Sequence, residues 1–270
     1  MSSQDRQRLP SVGVPEFLSA RSRGYRLTVL TAYDFTMARL FDEAGVDALL
    51  VGDSLGMVVQ GNDTSLTVTL DEMIYHTKLV ARGAKRSLVV ADLPFMTYQV
   101  GPQQALENSG RLVQQGGAHA VKLEGGIRSA KAIEAIVAAD IPVMGHVGLT
   151  PQSVRKFGGF KVQRDEPRLI ADAKAVEQAG AFSIVVECVP AETAAKIRDA
   201  VNIPTIGIGA GPECDGQVLV MHDMLGLFGE FRPKFVKVYA DLGAQVRKAV
   251  ETYRDEVRSG AFPTKEQSFR

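Results

Sequence analysis

The chain has 270 residues, 45% hydrophobic, with 31 basic and 31 acidic side chains and a formal net charge of zero. That length supports one large α/β domain, and the even charge balance and absence of tryptophan leave neither an electrostatic footprint nor a stacking platform for nucleic acid. Two cysteines, Cys188 and Cys214, make no disulfide framework, the polar start MSSQDRQRLPSVGVPEF has no apolar h-region, and no run reaches the roughly 20 apolar residues of a membrane span, so a soluble cytoplasmic protein is expected.

Short, almost continuously apolar runs recur along the chain, each followed by a segment with helical spacing. The first, LTVLT at 27–31, precedes a helix from Phe35 to Ala44, with Asp34 as N-cap and Gly45 as stop. ALLVG at 48–52 precedes a glycine-containing loop (Gly56 to Gly61) and a helix from Asp71 to Arg82, ending at Gly83. SLVVAD at 87–92 leads to a helix from Pro102 to Gln115, stopped by Gly116-Gly117. HAVKLEG at 119–125 leads to Ser129–Ala139, IPVMGHV at 141–147 to Pro167–Ala179, and FSIVVEC at 182–188 to Ala191–Ala200. IPTIGIG at 203–209 is the seventh run, and an eighth is expected around Met224 to Phe228.

Apolar runs of this kind read as strands buried on both faces, and their alternation with helices means a parallel sheet with crossovers. Eight units in about 250 residues fit a (β/α)8 barrel, and the missing GxGxxG after the first strand argues against an open dinucleotide-binding sheet. The expected organisation is one barrel domain over 1–270. Residues 1–23 form an N-terminal extension, Lys234 to Arg258 one or two amphipathic helices beyond the barrel, and 259–270 a flexible tail.

In such a barrel the active site lies at the C-terminal ends of the strands. Five successive strands end there in polar residues: Asp53 and Ser54 in VGDSLG, Asp92 in VVADLP, Lys122 and Glu124 in VKLEGG, His146 in VMGHVG and Glu187 in VVECVP. Singly, each has a plain reading: an Asp capping the next helix, a packed His, a Lys paired with Glu124 two residues on. Jointly, several carboxylates on one rim repel each other, and a cation removes that penalty. Oxygen ligands suit Mg²⁺ better than Zn²⁺. A metal that chelates a 2-oxo acid acidifies the C–H beside the ketone, and Glu187 is then the base that takes the proton. Lys122 and His146 supply positive charge or hydrogen bonds to the substrate.

Other signals are weaker. GIGAGPECDGQ at 207–217 has the wrong spacing for a dinucleotide fingerprint and reads as a tight turn or a loop lining the site. Glu72 and His76 read as an exposed helical pair, and Cys188 should face away from Glu187 in the same strand.

Taken together, TAYDFTMARLFDEAGVDALLVGDSLGMVVQG, VTLDEMIYHTKLVARG, VVADLPFMTYQ, AVKLEGG, PVMGHVGLTPQSV, ECVP and IPTIGIGAGPECDGQVLVMHDMLGL closely resemble the ketopantoate hydroxymethyltransferase family, from about Leu27 to Phe235. The resemblance implies a TIM barrel of the phosphoenolpyruvate/pyruvate type. It implies Mg²⁺ held by Asp53, Asp92 and Glu124, a 2-oxo acid contacted by Asp53, Ser54, Asp92 and Lys122, Glu187 as proton acceptor and His146 in the pocket. It further implies 5,10-methylenetetrahydrofolate as one-carbon donor to 3-methyl-2-oxobutanoate, 2-dehydropantoate as product on the way to pantothenate and coenzyme A, and a homodecamer. Two departures from the family pattern, Arg164 in FKVQR and Val238 in FVKVYADL, lie away from these residues. One alternative is a Mg²⁺-dependent carbon–carbon lyase of the isocitrate lyase group, although its KKCGH-type loop is missing. The other is a non-catalytic metabolite-binding barrel.

Overall fold

A computed structural model describes residues 10–227, 229 and 233–269. The chain falls into two compact units, 1–220 and 221–270. The first is a closed barrel of eight parallel strands in sequential order. These are β1 (Leu27–Thr31), β2 (Ala48–Val51), β3 (Leu88–Asp92), β4 (Ala120–Glu124), β5 (Val143–Gly148), β6 (Ser183–Glu187), β7 (Thr205–Ile208) and β8 (Gly216–Leu219). Strands β2, β3 and β4 are buried throughout, as their continuous apolar character predicts.

The helices are α1 (Val14–Ser19), α2 (Phe35–Ala44), α3 (Leu55–Val58), α4 (Leu70–Gly83), α5 (Pro102–Gly116), α6 (Ala130–Val137), α7 (Val154–Phe157), α8 (Glu166–Gln178), α9 (Ala191–Ala200), α10 (Met221–Met224) and α11 (Leu242–Ser259). Their ends follow local chemistry. Asp34 accepts the Met37 N–H at 2.9 Å, and Gly45 closes α2 in the left-handed region. Thr69 and Glu72 form a reciprocal capping box on α4.

The interior of the barrel is filled by Leu27, Val29, Ala48, Leu50, Leu88, Val90, Ala120, Met144, Val185, Ile206 and Val218. Helix α1 and its C-cap join this core through Phe17 and Ala20, and Phe17 meets Phe182 edge to face at 5.6 Å. Part of the expected N-terminal extension therefore belongs to the barrel core, because a large apolar side chain there gains by covering the open floor. Residues 1–9 lie outside the described residues.

Two expectations need correction. The eighth strand is not at Met224–Phe228: residues Met221–Met224 are helical, and Phe228 lies outside the described residues. Gly216–Leu219 closes the barrel instead, in register with Leu27–Leu30 on one side and Ile206–Gly207 on the other. In the second unit, the 234–258 segment is helical only from Leu242 on, in a helix that runs to Ser259 with Asp241 as its N-cap. The expected tail carries a 3₁₀ turn at Lys265–Gln267, capped by Thr264.

Candidate active site

The strand period carries the core into the rim. In a strand, residues two apart share a face. Val90 is therefore followed inward by Asp92, Ala120 by Lys122 and Glu124, Met144 by His146 and Val185 by Glu187. Strand register sets these next to each other: Asp92 beside Lys122, Glu124 beside His146, and Gly148 beside Glu187. Asp53 stands just beyond β2, where its backbone N–H donates to Asp92 Oδ2 at 3.1 Å. Two glycines permit this crowding. A Cβ at Gly52 would lie 2.8 Å from Ser54 Oγ, and one at Gly148, whose φ is +95°, would collide with the Glu187 carbonyl.

All six predicted charged or titratable residues thus reach one rim. Lys122 Nζ lies 2.9 Å from Asp92 Oδ1, so its ion pair is with the neighbouring strand and not with Glu124 on its own. The same ammonium lies 3.3 Å from His146 Nδ1. An ammonium only donates, so Nδ1 accepts and the ring proton sits on Nε2. Nε2 is 3.1 Å from Glu187 Oε2 but makes no hydrogen bond there, so His146 is hydrogen-bonded to Lys122 and only adjacent to Glu187. His146 Nδ1 is also 3.7 Å from Glu124 Oε1. Ser54 Oγ is 2.9 Å from the buried Tyr33 hydroxyl.

The electrostatics are unbalanced. Asp53, Asp92, Lys122, Glu124 and His146 are all buried. Burial, with the charge of Asp92 beside it, pushes the Asp53 carboxyl up to about 7. Burial and the Asp53 charge raise Glu124 well above the ordinary glutamate value. Lys122 goes the other way from a lone buried amine: burial lowers its pKa, but Asp92, Glu124 and Asp53 outweigh that and hold it protonated. Burial and the Lys122 charge lower His146, which keeps it neutral. One ammonium faces four carboxyls, an excess of acid that a divalent cation would offset. Among the described residues no three His, Cys, Asp or Glu side chains converge as they stand on one metal-ligand point. The donor set of buried carboxylate oxygens nonetheless matches a hard cation in chemistry.

Sequence reasoning missed the residues that hold this rim from behind. Gln152, after β5, donates from Nε2 to Asp53 Oδ2 at 2.9 Å and from its backbone N–H to Glu124 Oε2 at 3.1 Å. Tyr98 donates its hydroxyl to Gln152 Oε1 at 2.8 Å. His76 is no simple exposed partner of Glu72: its Nδ1 is 2.7 Å from the Tyr33 carbonyl. Cys188 does not follow strand alternation, because β6 ends at Glu187 and Cys188 takes a left-handed φ of 48°. Burial raises its thiol to about 12, so it is a poor nucleophile. The segment 209–215 makes the turn between β7 and β8, with its two glycines Gly209 and Gly211 at positive φ.

The barrel resembles 2,3-dimethylmalate lyase, a member of the PEP mutase/isocitrate lyase superfamily, with a TM-score of 0.60 at 19% identity over 95% of this chain and 91% of that one. It also resembles phosphonopyruvate hydrolase in complex with oxalate and Mg²⁺, with a TM-score of 0.62 at 14% identity over 95% and 93%. At those identities the likeness speaks for the fold. Sequence relatives are much nearer. The 3-methyl-2-oxobutanoate hydroxymethyltransferase of Clostridium botulinum is 54% identical over 95% of each chain. That of Syntrophus aciditrophicus is 53% identical over the full length of both. The family model for ketopantoate hydroxymethyltransferase matches residues 11–265. That span takes in every strand of the barrel and the whole polar rim, and the chain belongs to the ketopantoate hydroxymethyltransferase family.

Proposed function

We propose that this chain is a 3-methyl-2-oxobutanoate hydroxymethyltransferase, adding the one-carbon unit of 5,10-methylenetetrahydrofolate to the oxo acid to give 2-dehydropantoate and tetrahydrofolate. The observation that carries the reading is the gathering of Asp53, Asp92, Lys122, Glu124, His146 and Glu187 on one rim of a barrel of this family.

In this reading Asp53, Asp92 and Glu124 hold Mg²⁺, the ion named with oxalate in the phosphonopyruvate hydrolase structure of the same fold. When bound, Mg²⁺ supplies Lewis acidity toward the carboxylate and ketone oxygens of the oxo acid. Lys122 and Ser54 position the substrate by charge and hydrogen bonding. Glu187 removes the C3 proton, with His146 Nε2 3.1 Å from its Oε2 as the nearest imidazole nitrogen to that carboxylate. His146 stays neutral and serves as a hydrogen-bond donor. The carbanion at C3 then forms a C–C bond to the methylene carbon as one of its two C–N bonds to the folate breaks, and water displaces the other nitrogen. The hydroxyl stays on carbon, and the proton from C3 and one from water go to the two nitrogens of tetrahydrofolate.

Glu187→Gln tests the base directly. The variant should retain oxo-acid binding and lose solvent deuterium exchange at C3; full exchange removes Glu187 from that role. Consumption of methylenetetrahydrofolate with the oxo acid, against cleavage of isocitrate or methylisocitrate, separates this reading from a lyase. Absence of turnover with any 2-oxo acid restores the non-catalytic barrel. We also take the enzyme to be one catalytic domain working as a cytoplasmic homodecamer. No helix among the described residues is long and apolar enough to cross a membrane. Helix α11 exposes Val246, Val250, Tyr253 and Val257 at three- and four-residue spacing, an apolar stripe suited to self-association.

A further inference from the structure

Gln152 is a buried polar residue whose amide is saturated. A glutamine side chain offers two donor hydrogens and two acceptor lone pairs. Here Nε2 donates to Asp53 Oδ2 at 2.9 Å and to the Leu93 carbonyl at 3.0 Å. Oε1 accepts from the Tyr98 hydroxyl at 2.8 Å and from Gln99 Nε2 at 2.9 Å. The Leu93 carbonyl accepts only, which fixes the amide against a flip. The residue's own backbone N–H, at the start of the Pro151–Ser153 turn, meets Glu124 Oε2 at 3.1 Å. The same Tyr98 hydroxyl accepts the Glu124 backbone N–H at 3.2 Å. One residue following β5 thus contacts groups that follow β2 and β3 and the last residue of β4.

An apolar side chain would fill the volume but leave the Leu93 carbonyl and the Tyr98 hydroxyl without these partners, so the amide satisfies structural groups as well as Asp53. What the amide adds is a fixed direction for one Asp53 oxygen, across a contact that separates the two residues by 99 positions in sequence. The backbone of the same residue fixes one oxygen of Glu124. Outer groups that orient ligating carboxylates change metal affinity without touching the metal.

We propose that Gln152 is the positioning residue of the divalent-cation site, holding Asp53 and Glu124 at the spacing and orientation that let both carboxylates face one ion. This rests on the reading of those two carboxylates as ligands, and the test keeps the two ideas apart. Mn²⁺ binding to the full-length protein, followed by the loss of the free-ion EPR signal, reads the site without turnover. Gln152→Met keeps the length of the side chain and removes the amide. It should weaken Mn²⁺ binding by about ten- to hundredfold. Tyr98→Phe removes the hydroxyl that seats the amide, together with that hydroxyl's contacts to the Glu124 backbone, and should weaken binding by about two- to tenfold. This second variant carries the test where Gln152→Met fails to fold. In parallel, Asp53→Asn should abolish binding. An unchanged or tighter Kd in both outer variants, with binding lost in Asp53→Asn, overturns the role of Gln152 alone. Undiminished binding in Asp53→Asn overturns the ligand reading, and the Gln152 role with it.

Discussion

The two ends of this barrel bury carboxylates in opposite ways. On the side where the strands begin, Asp47 accepts from the Thr28 N–H at 2.8 Å, the Thr28 hydroxyl at 2.7 Å and the Tyr25 hydroxyl at 3.0 Å, with Arg86 at 3.8 Å. Asp215 takes the Thr205 N–H and hydroxyl at 2.9 and 3.0 Å and pairs with Arg198 at 3.3 Å. Asp42 receives the Arg86 and Ser87 backbone N–H groups at 3.0 and 2.8 Å. At the other end, Asp53 and Glu124 face further carboxyls and share one lysine. Protein donors settle the charge at the floor, whereas the rim leaves it open. A fold that can satisfy Asp47 so fully has the means to satisfy Asp53, and the proposed ligand site at the rim rests on that contrast.

The sharpest way to break this contrast is to neutralise one acid at each end. Asp53→Asn should lower hydroxymethyl transfer by more than about a hundredfold, beyond the range of outer-shell changes, yet leave the metal-free protein at least as resistant to urea. A large loss of stability would move Asp53 into the same class as Asp47. Asp47→Asn should do the reverse. It replaces one acceptor oxygen by an NH2 donor facing groups that donate or are already paired, and should cost about 2–4 kcal/mol in urea unfolding. Turnover per folded molecule should stay at the parent level, and a matching fall in kcat/KM would show the two ends to be coupled.

The smallest effect is a difference in pH slope. Asp42 is pushed up by burial, but the backbone N–H groups outweigh that and hold it below its ordinary value. Its stabilisation is present above about 4 and is lost as pH falls through the lower folded value. Asp53, raised to about 7, behaves oppositely: the metal-free protein gains stability from it as pH falls from about 7 toward 4. Urea midpoints measured without metal across that range should lose the gain in Asp53→Asn and keep it in Asp42→Asn. An unaltered slope in Asp53→Asn would mean that Asp53 is already ionised without penalty.

The rim was legible in sequence because its residues fall at strand ends in chain order, and strand periodicity alone says which side chains continue the inward face. Val90 to Asp92 and Met144 to His146 are such steps. Gln152 was not legible. It follows Pro151 in a turn, where a polar residue excites no interest, and its meaning comes from a partner 99 residues away. Strand β8 was missed for a local reason. Only four residues long, it alternates in burial and opens with a glycine, and it follows a glycine-rich turn. The helical reading of residues 234–241 failed because apolar spacing continued there without a cap, while Asp241 supplies one further on.

That short last strand also governs when the barrel can exist. Until Leu219 has been synthesised, β1 and β7 are bare edges offering unpaired backbone groups to any other chain. About four-fifths of the polypeptide must therefore emerge before the ring can seal. A nascent chain stalled before Gly216 would be an open sheet, and its hazard would be self-pairing along those two edges.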